Sequence, residues 1–240
     1  MRLDVFEYTS KGGRSYNEDS LGSNFDENGG IFVVADGLGG HNRGEVASSA
    51  AVETIISGWN TKSENMEQQV AEKIEAANQR ILAIQKETNT VMKTTVAVLA
   101  LGGNKAVLAN SGDSRVYFIH KNELYAVTSD HSVAFKKYKA GEITRDQIGS
   151  DEDQSCLLRC LGGVDRYQPD VCEFDVPVET GDAFLLCSDG AWEFLRDEEI
   201  LIDYLKSDNA CRWTELLLLR AMERINGGND NLSVLTVMVK

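Results

Sequence analysis

The chain has 240 residues, enough for one large domain or two small ones, and a hydrophobic content of 42% that is ordinary for a protein with a packed core. Its formal net charge of −14, from 24 basic and 38 acidic residues, repels nucleic acid and anionic membrane and argues against both as partners. Only two prolines occur, no Ser/Gly/Pro-rich linker divides the sequence, and no apolar run reaches membrane-spanning length. A single domain over residues 1–240 is therefore expected. Met1-Arg2-Leu3-Asp4 shows no apolar leader, and five cysteines without CxxC spacing suggest reduced thiols, so a cytoplasmic setting is expected.

Residues 2–10 alternate loosely and predict a first strand. A polar stretch follows, Lys11-Gly12-Gly13-Arg14-Ser15-Tyr16-Asn17-Glu18-Asp19-Ser20. Arg14 offers a rigid fork suited to phosphate, and Glu18 and Asp19 suit a cation or its waters. A local surface salt bridge explains the same residues equally well. Residues 21–30 read as a turn. Ile31–Ala35 is an apolar run, read as a short buried strand, that leads straight into Asp36-Gly37-Leu38-Gly39-Gly40-His41. An acid at the end of a buried strand needs a cation or hydrogen bonds to compensate it.

Apolar stripes predict helices over residues 44–57 and about 64–87. Strands follow at 94–101 and 105–109, joined by Gly102-Gly103-Asn104, and then at 114–120 and 124–127. Asp113 stands before the third of these, beside Gly112. Residues 128–168 are polar and aperiodic, and are read as a functional flap with a short helix near 132–140. Strands at 171–176 and 182–187 come next, the second running into Ser188-Asp189-Gly190. Helices at about 197–206 and 213–225 and a last strand at 232–239, preceded by Asp230-Asn231, complete the chain. Antiparallel neighbours would bring Asp36, Asp189 and Asp230 to one sheet edge.

Clustered carboxylates must be protonated, scattered or gathered round cations. Oxygen-only ligation without spaced His or Cys points to Mg²⁺ or Mn²⁺. Two such ions can support in-line displacement at phosphorus. From spacing alone, this metallohydrolase reading and a structural scatter of acids stand level.

The ordered set Arg14-x-x-Asn17-Glu18-Asp19, Asp36-Gly37-Leu38-Gly39-Gly40-His41, Gly112-Asp113-Ser114-Arg115, Ser188-Asp189-Gly190 and Asp230-Asn231-Leu232-Ser233 resembles the metal-dependent PP2C (PPM) protein serine/threonine phosphatases, in their bacterial form. The resemblance spans essentially the whole chain. It implies an α+β fold, a four-layer α-β-β-α sandwich of two antiparallel sheets flanked by helices. It implies that Asp36 bridges two ions, with the Gly37 carbonyl as a further ligand. Asp189 and Asp230 would complete the first ion's shell, and Glu18 and Asp19 would act near the second. Asp113, with Asp189, would hold a third, weaker ion, and Arg14 would bind the substrate phosphate. The nucleophile would be metal-activated water. The implied partners are phosphorylated proteins and an opposing serine/threonine kinase, and a monomer is expected.

Two departures from the family pattern stand out. Leu38 occupies the place where some members carry a histidine proposed as general acid, so the acid is unassigned, and His41 and His131 are better read as structural. The flap reads Gly149-Ser150-Asp151-Glu152-Asp153-Gln154 where a His-Pro pair often occurs. Cys160-x5-Arg166 fits a bare cysteine-phosphatase pattern, but Asp165 would place an acid beside the phosphate, and a buried or flap thiol explains Cys160 better.

Overall fold

Ile31, Val33 and Ala35 face one way and Phe32 and Val34 the other, yet all five are fully buried. A strand covered on both faces has no polar alternation, which is why this stretch reads as an unbroken apolar run. The computed structural model describes residues 1–38, 43–63, 65–163 and 167–240. Gly39, Gly40, His41, Glu64, Asp165 and Arg166 of the sequence expectations lie outside the described residues.

The N-terminal half carries strands β1 (Leu3–Ser10), β2 (Asp19–Asp26) and β3 (Gly29–Leu38), helices α1 (Gly44–Ile56) and α2 (Met66–Thr88), and strands β4 (Lys93–Thr94), β5 (Val96–Gly102), β6 (Lys105–Ser111), β7 (Arg115–His120) and β8 (Glu123–Val127). Helix α3 (Val133–Ala140) and a 3-10 helix (Arg145–Ser150) lie in the next segment. Strands β9 (Asp170–Glu173) and β10 (Ala183–Cys187), helices α4 (Asp189–Trp192), α5 (Asp197–Leu205) and α6 (Ala210–Arg224), and strand β11 (Leu232–Val239) follow.

One five-stranded sheet runs β1-β11-β10-β7-β8. A six-stranded sheet runs β2-β3-β5-β6-β9, with β4 paired to β3. Every strand pair is antiparallel. Three apolar layers bind the four structural layers. Ile31, Val33, Val98 and Val107 pack on α1 and α2. Phe32, Leu99, Phe118, Phe184 and Val237 fill the space between the sheets. Tyr117, Leu185 and Val234 meet Trp213 and Leu217 of α6. The α-β-β-α sandwich expected from the family resemblance is the fold observed.

Two local expectations are corrected. Residues 21–26, read as part of a turn, belong to β2. It is an edge strand with few apolar residues, and helix α1 lies so close that a Cβ on Gly22 would sit 2.8 Å from Val52 Cγ1. Closeness of that kind comes from tertiary packing and leaves no periodic signal. Asp36 does not share a sheet edge with Asp189 and Asp230. β3 belongs to the six-stranded sheet and β10 and β11 to the other, so the acids meet across the sandwich. β3 also continues through Asp36 to Leu38, paired with β4.

On the far helical layer, Glu199 of α5 accepts from both terminal nitrogens of Arg224, at 2.7 and 2.6 Å, and from the Arg196 backbone N–H at 3.1 Å. The Arg224 guanidinium holds its carboxyl down at about 2. A depressed carboxyl stabilises the fold above its unfolded value of 4.5, and that stability is lost as pH falls towards 2. Glu199→Gln should therefore cost about 1 kcal/mol near neutrality, the solvent around Arg224 having reduced the full linkage value. It should also flatten the fall in stability between pH 4.5 and 2, as urea titrations at stepped pH would show. An unchanged acid profile would refute this.

Candidate metal centre

Asp19 and Asp36 stand opposite each other on β2 and β3. The Asp36 backbone is pinned to Thr94 of β4 and to Thr95 between β4 and β5: its N–H donates to Thr95 Oγ1 at 3.0 Å, and its carbonyl accepts from Thr95 N and Thr94 Oγ1, both at 2.8 Å. The backbone being occupied, the Asp36 side chain is free to project into the end of the sandwich. There its charge is opposed by that of Asp189, which begins α4 just after β10. Gly190 is required at this turn, because a Cβ would collide with the Asn231 carbonyl.

Asp230 and Arg14 form the rim. Arg14 Nη2 donates to Asp230 Oδ2 at 2.6 Å, and both side chains are substantially exposed. The loop carrying Arg14 is tied to the start of β11 by one amide. Asn231 donates to the carbonyls of Lys11 at 2.9 Å and Tyr16 at 2.8 Å and accepts from the Glu18 N–H at 2.7 Å. Glu18 Oε1 accepts from the Gly44 N–H at 3.0 Å, so this side chain also caps the first turn of α1. The Gly37 carbonyl faces the same turn, against Gly44.

Asp19 and Asp113 are almost fully buried. Asp19 Oδ2 accepts from Ser188 Oγ at 2.8 Å, and that hydroxyl in turn accepts from the Ser233 N–H at 3.0 Å. Asp113 sits on the connection from β6 in one sheet to β7 in the other, and its carbonyl accepts from Trp192 Nε1 at 2.8 Å. His131, read as structural, makes its hydrogen bonds within the fold. Its Nδ1 accepts from the Gly112 N–H at 3.2 Å and its Nε2 meets Asp170 at 3.1 Å.

Burial and mutual repulsion act on these acids together. Loss of water, then the Asp189, Asp19 and Asp113 charges, push the Asp36 carboxyl well above the usual range. Burial first, then Asp189, does the same to Asp113. Burial pushes Asp19 up to about 7 against the hydrogen bond from Ser188. Glu193, one turn beyond Asp189, is pushed to about 7 by burial and by Asp189 and Asp230.

Two carboxylate oxygens in this cluster, Asp19 Oδ1 and Asp189 Oδ1, are buried without a partner. Such an oxygen costs about 1–3 kcal/mol or more unless something positive meets it. Buried carboxyls that repel one another, orphaned oxygens and an all-oxygen donor set fit a hard divalent cation. Among the described residues no three His, Cys, Asp or Glu side chains close into a ready-made cage. Mg²⁺ keeps several of its own waters and takes only one or two carboxylates, so such a cage is unnecessary.

Several contributors were not visible in the sequence. Ser188 and Ser233 sit inside the motifs, and a hydroxyl in an apolar strand end is a usable signal. Thr95 and Gln154 carried none. Gln154 Nε2 donates to Asp189 Oδ2 at 2.9 Å from 35 residues away. Cys160 is buried beside Leu161, the residue that bridges to Thr94, which favours the expected buried thiol.

Residues 11–215 match the family model for protein phosphatase 2C. The serine/threonine phosphatase stp of Listeria welshimeri is 33% identical over 234 residues, covering 93% of this chain and 90% of the relative. The S. agalactiae serine/threonine phosphatase structure superposes with a TM-score of 0.85 at 26% identity, over 100% of both chains. The catalytic domain of the serine/threonine phosphatase PstP, solved in complex with two manganese ions, superposes with a TM-score of 0.83 at 27% identity, over 99% of each chain.

Proposed function

The chain belongs to the protein phosphatase 2C family, and from that premise we propose that residues 1–240 form one catalytic domain, with a flap at about 128–168, that removes phosphate from phosphoserine and phosphothreonine in proteins. The enzyme is a Mn²⁺- or Mg²⁺-dependent phosphatase, as the manganese-bound PstP neighbour supports. The observation that carries the site assignment is the pair of carboxylate oxygens, Asp19 Oδ1 and Asp189 Oδ1, left buried without a partner beside the buried, mutually repelling Asp36.

In this reading Asp36, Gly37, Asp189 and Asp230 hold the principal cations. Glu18 and Asp19 support the second, and Asp113 with Asp189 holds a weaker third. Bound there, the cations lower the pKa of a water and offset charge on the phosphoryl oxygens. The chain's own residues do the rest. Asp36 comes from one sheet and Asp189 and Asp230 from the other, so donors from both sheets would meet at the site. Ser188 orients Asp19, and Asn231 sets the height of the Arg14 loop. Arg14 uses one nitrogen on Asp230, which leaves its other N–H groups for the phosphate oxygens of the substrate.

The physiological substrates are proposed to be phosphoproteins made by a cognate serine/threonine kinase. Among the described residues no helix is long and apolar enough to cross a membrane. The net charge of −14 disfavours nucleic acid, and a cytoplasmic monomer is the proposed state.

Hydrolysis of a phosphothreonine peptide and an aryl phosphate, in Mn²⁺ or Mg²⁺ against EDTA, tests the proposal. Turnover should require the cation and survive thiol alkylation. Arg14→Ala should raise KM about tenfold with a smaller change in kcat, since a positioning charge is lost while the carboxylates remain. Turnover in EDTA that alkylation abolishes would move the chemistry to Cys160, and an unchanged KM would remove Arg14 from the phosphate.

A further inference from the structure

Both ends of the flap are fastened to backbone next to the acids. At its start the His131 N–H donates to the Gly112 carbonyl at 2.8 Å, next to Asp113. At its end the Leu158 N–H donates to the His131 carbonyl at 2.7 Å, and the Leu161 N–H donates to the Thr94 carbonyl at 2.8 Å, beside Asp36. Between these points the flap turns at residues 151–154. Lys137 of α3 grips Asp151 and Asp153, each at 2.8 Å, and the Gln154 N–H closes the turn on the Asp151 carbonyl at 3.1 Å. The turn is thus held from within the flap, and the Gln154 side chain extends from it to Asp189.

Asp189, like Asp19 and unlike Asp230, is met by a neutral donor. Asp230 has the Arg14 guanidinium and Asp19 has a serine hydroxyl. Asp189 accepts from the neutral amide of Gln154 on Oδ2, while its Oδ1 is buried without a hydrogen-bond partner among the described residues. A neutral donor fixes a carboxylate without cancelling its charge, whereas a lysine there would compete with any cation.

We infer that Gln154 is a positioning residue: its amide turns the Asp189 carboxylate so that Oδ1 faces the cation, and it thereby couples the flap to cation binding. The inference rests on the proposed metal centre. Coupling is reciprocal, so a flap contact that raises cation affinity must be strengthened by the cation to the same degree.

The test is Mn²⁺ binding by calorimetry to the full chain, its Gln154→Ala variant and its Gln154→Lys variant, with hydrogen exchange of residues 150–156 with and without Mn²⁺. A hydrogen bond to a charged group supports a loss of about tenfold in affinity for Gln154→Ala. Gln154→Lys should lose more, on the order of a hundredfold, because the new ammonium pairs with Asp189. Melting temperatures in EDTA should be unchanged in Gln154→Ala, and Mn²⁺ should slow exchange at 150–156 in the parent but not in that variant. Equal affinities in all three proteins, or exchange insensitive to Mn²⁺ in the parent, would overturn the coupling while leaving the metal centre standing. A parent chain with no saturable Mn²⁺ binding would overturn both.

Discussion

Asp36→Ala and Asp189→Ala should each abolish phosphate hydrolysis and leave the cation-free fold as stable as the parent or more so. The two effects have one cause. Each side chain lies in a water-poor cluster where burial and like charges raise its carboxyl, Asp36 well above the ordinary range. Without a cation those charges oppose folding, so removing one relieves repulsion. With a cation they are its ligands, and losing one at the reacting centre should lower kcat/KM by at least about a thousandfold, roughly 4 kcal/mol. Initial rates on an aryl phosphate at saturating Mn²⁺, paired with melting curves in EDTA, check both halves. Full activity in either variant would remove that residue from the metal centre. A large fall in the EDTA melting temperature would show that the acid is structural, held by hydrogen bonds and not by a cation.

Arg115→Ala should be the most destabilising single change outside the apolar core. Its guanidinium grips Asp130 with two nitrogens, at 2.8 and 2.6 Å, donates to the Tyr117 hydroxyl at 3.2 Å and stacks 3.5 Å over the Trp192 ring. Arg115 is 4% exposed and Asp130 5%, so truncation strands a carboxylate away from water. The expected cost is about 3–5 kcal/mol, a large share of the stability of a typical domain. Changing both partners, Arg115→Met with Asp130→Leu, should recover much of it, because no buried charge is left unpaired. Urea unfolding of the two proteins decides the matter. A cost below about 1 kcal/mol for Arg115→Ala would mean that water reaches Asp130 in solution. The pair also bears on the site, since Asp130 opens the flap and Trp192 holds the Asp113 carbonyl.

Much of this could be read along the chain because the signals were local. The helices were legible from stripes such as Val70, Ile74, Ala77 and Ile81, all fully buried in the structure. The strand before Asp36 was legible because both its faces are covered. Edge strand β2 was not, since its polar residues look the same in a turn and on an exposed sheet margin. Glu18 was expected beside a cation or in a local salt bridge, and its capping of α1 depends on a helix that begins 26 residues later.

By itself the sequence determined which residue types were available: the acids at strand ends, the arginine at Arg14, the glycines beside them, and their order along the chain. Apolar periodicity and turn chemistry act over a few residues, so those features were already decided there. Only the tertiary structure decided that Asp36 arrives from one sheet and Asp189 and Asp230 from the other. It also decided that Ser188 satisfies Asp19, that Gln154 reaches Asp189, and that Asp19 Oδ1 and Asp189 Oδ1 are left buried without a partner. Which oxygen is satisfied depends on atoms brought together from as far as 216 residues apart, as in the Arg14–Asp230 bond. Strand pairing and sheet stacking, which no short stretch of chain encodes, create that proximity.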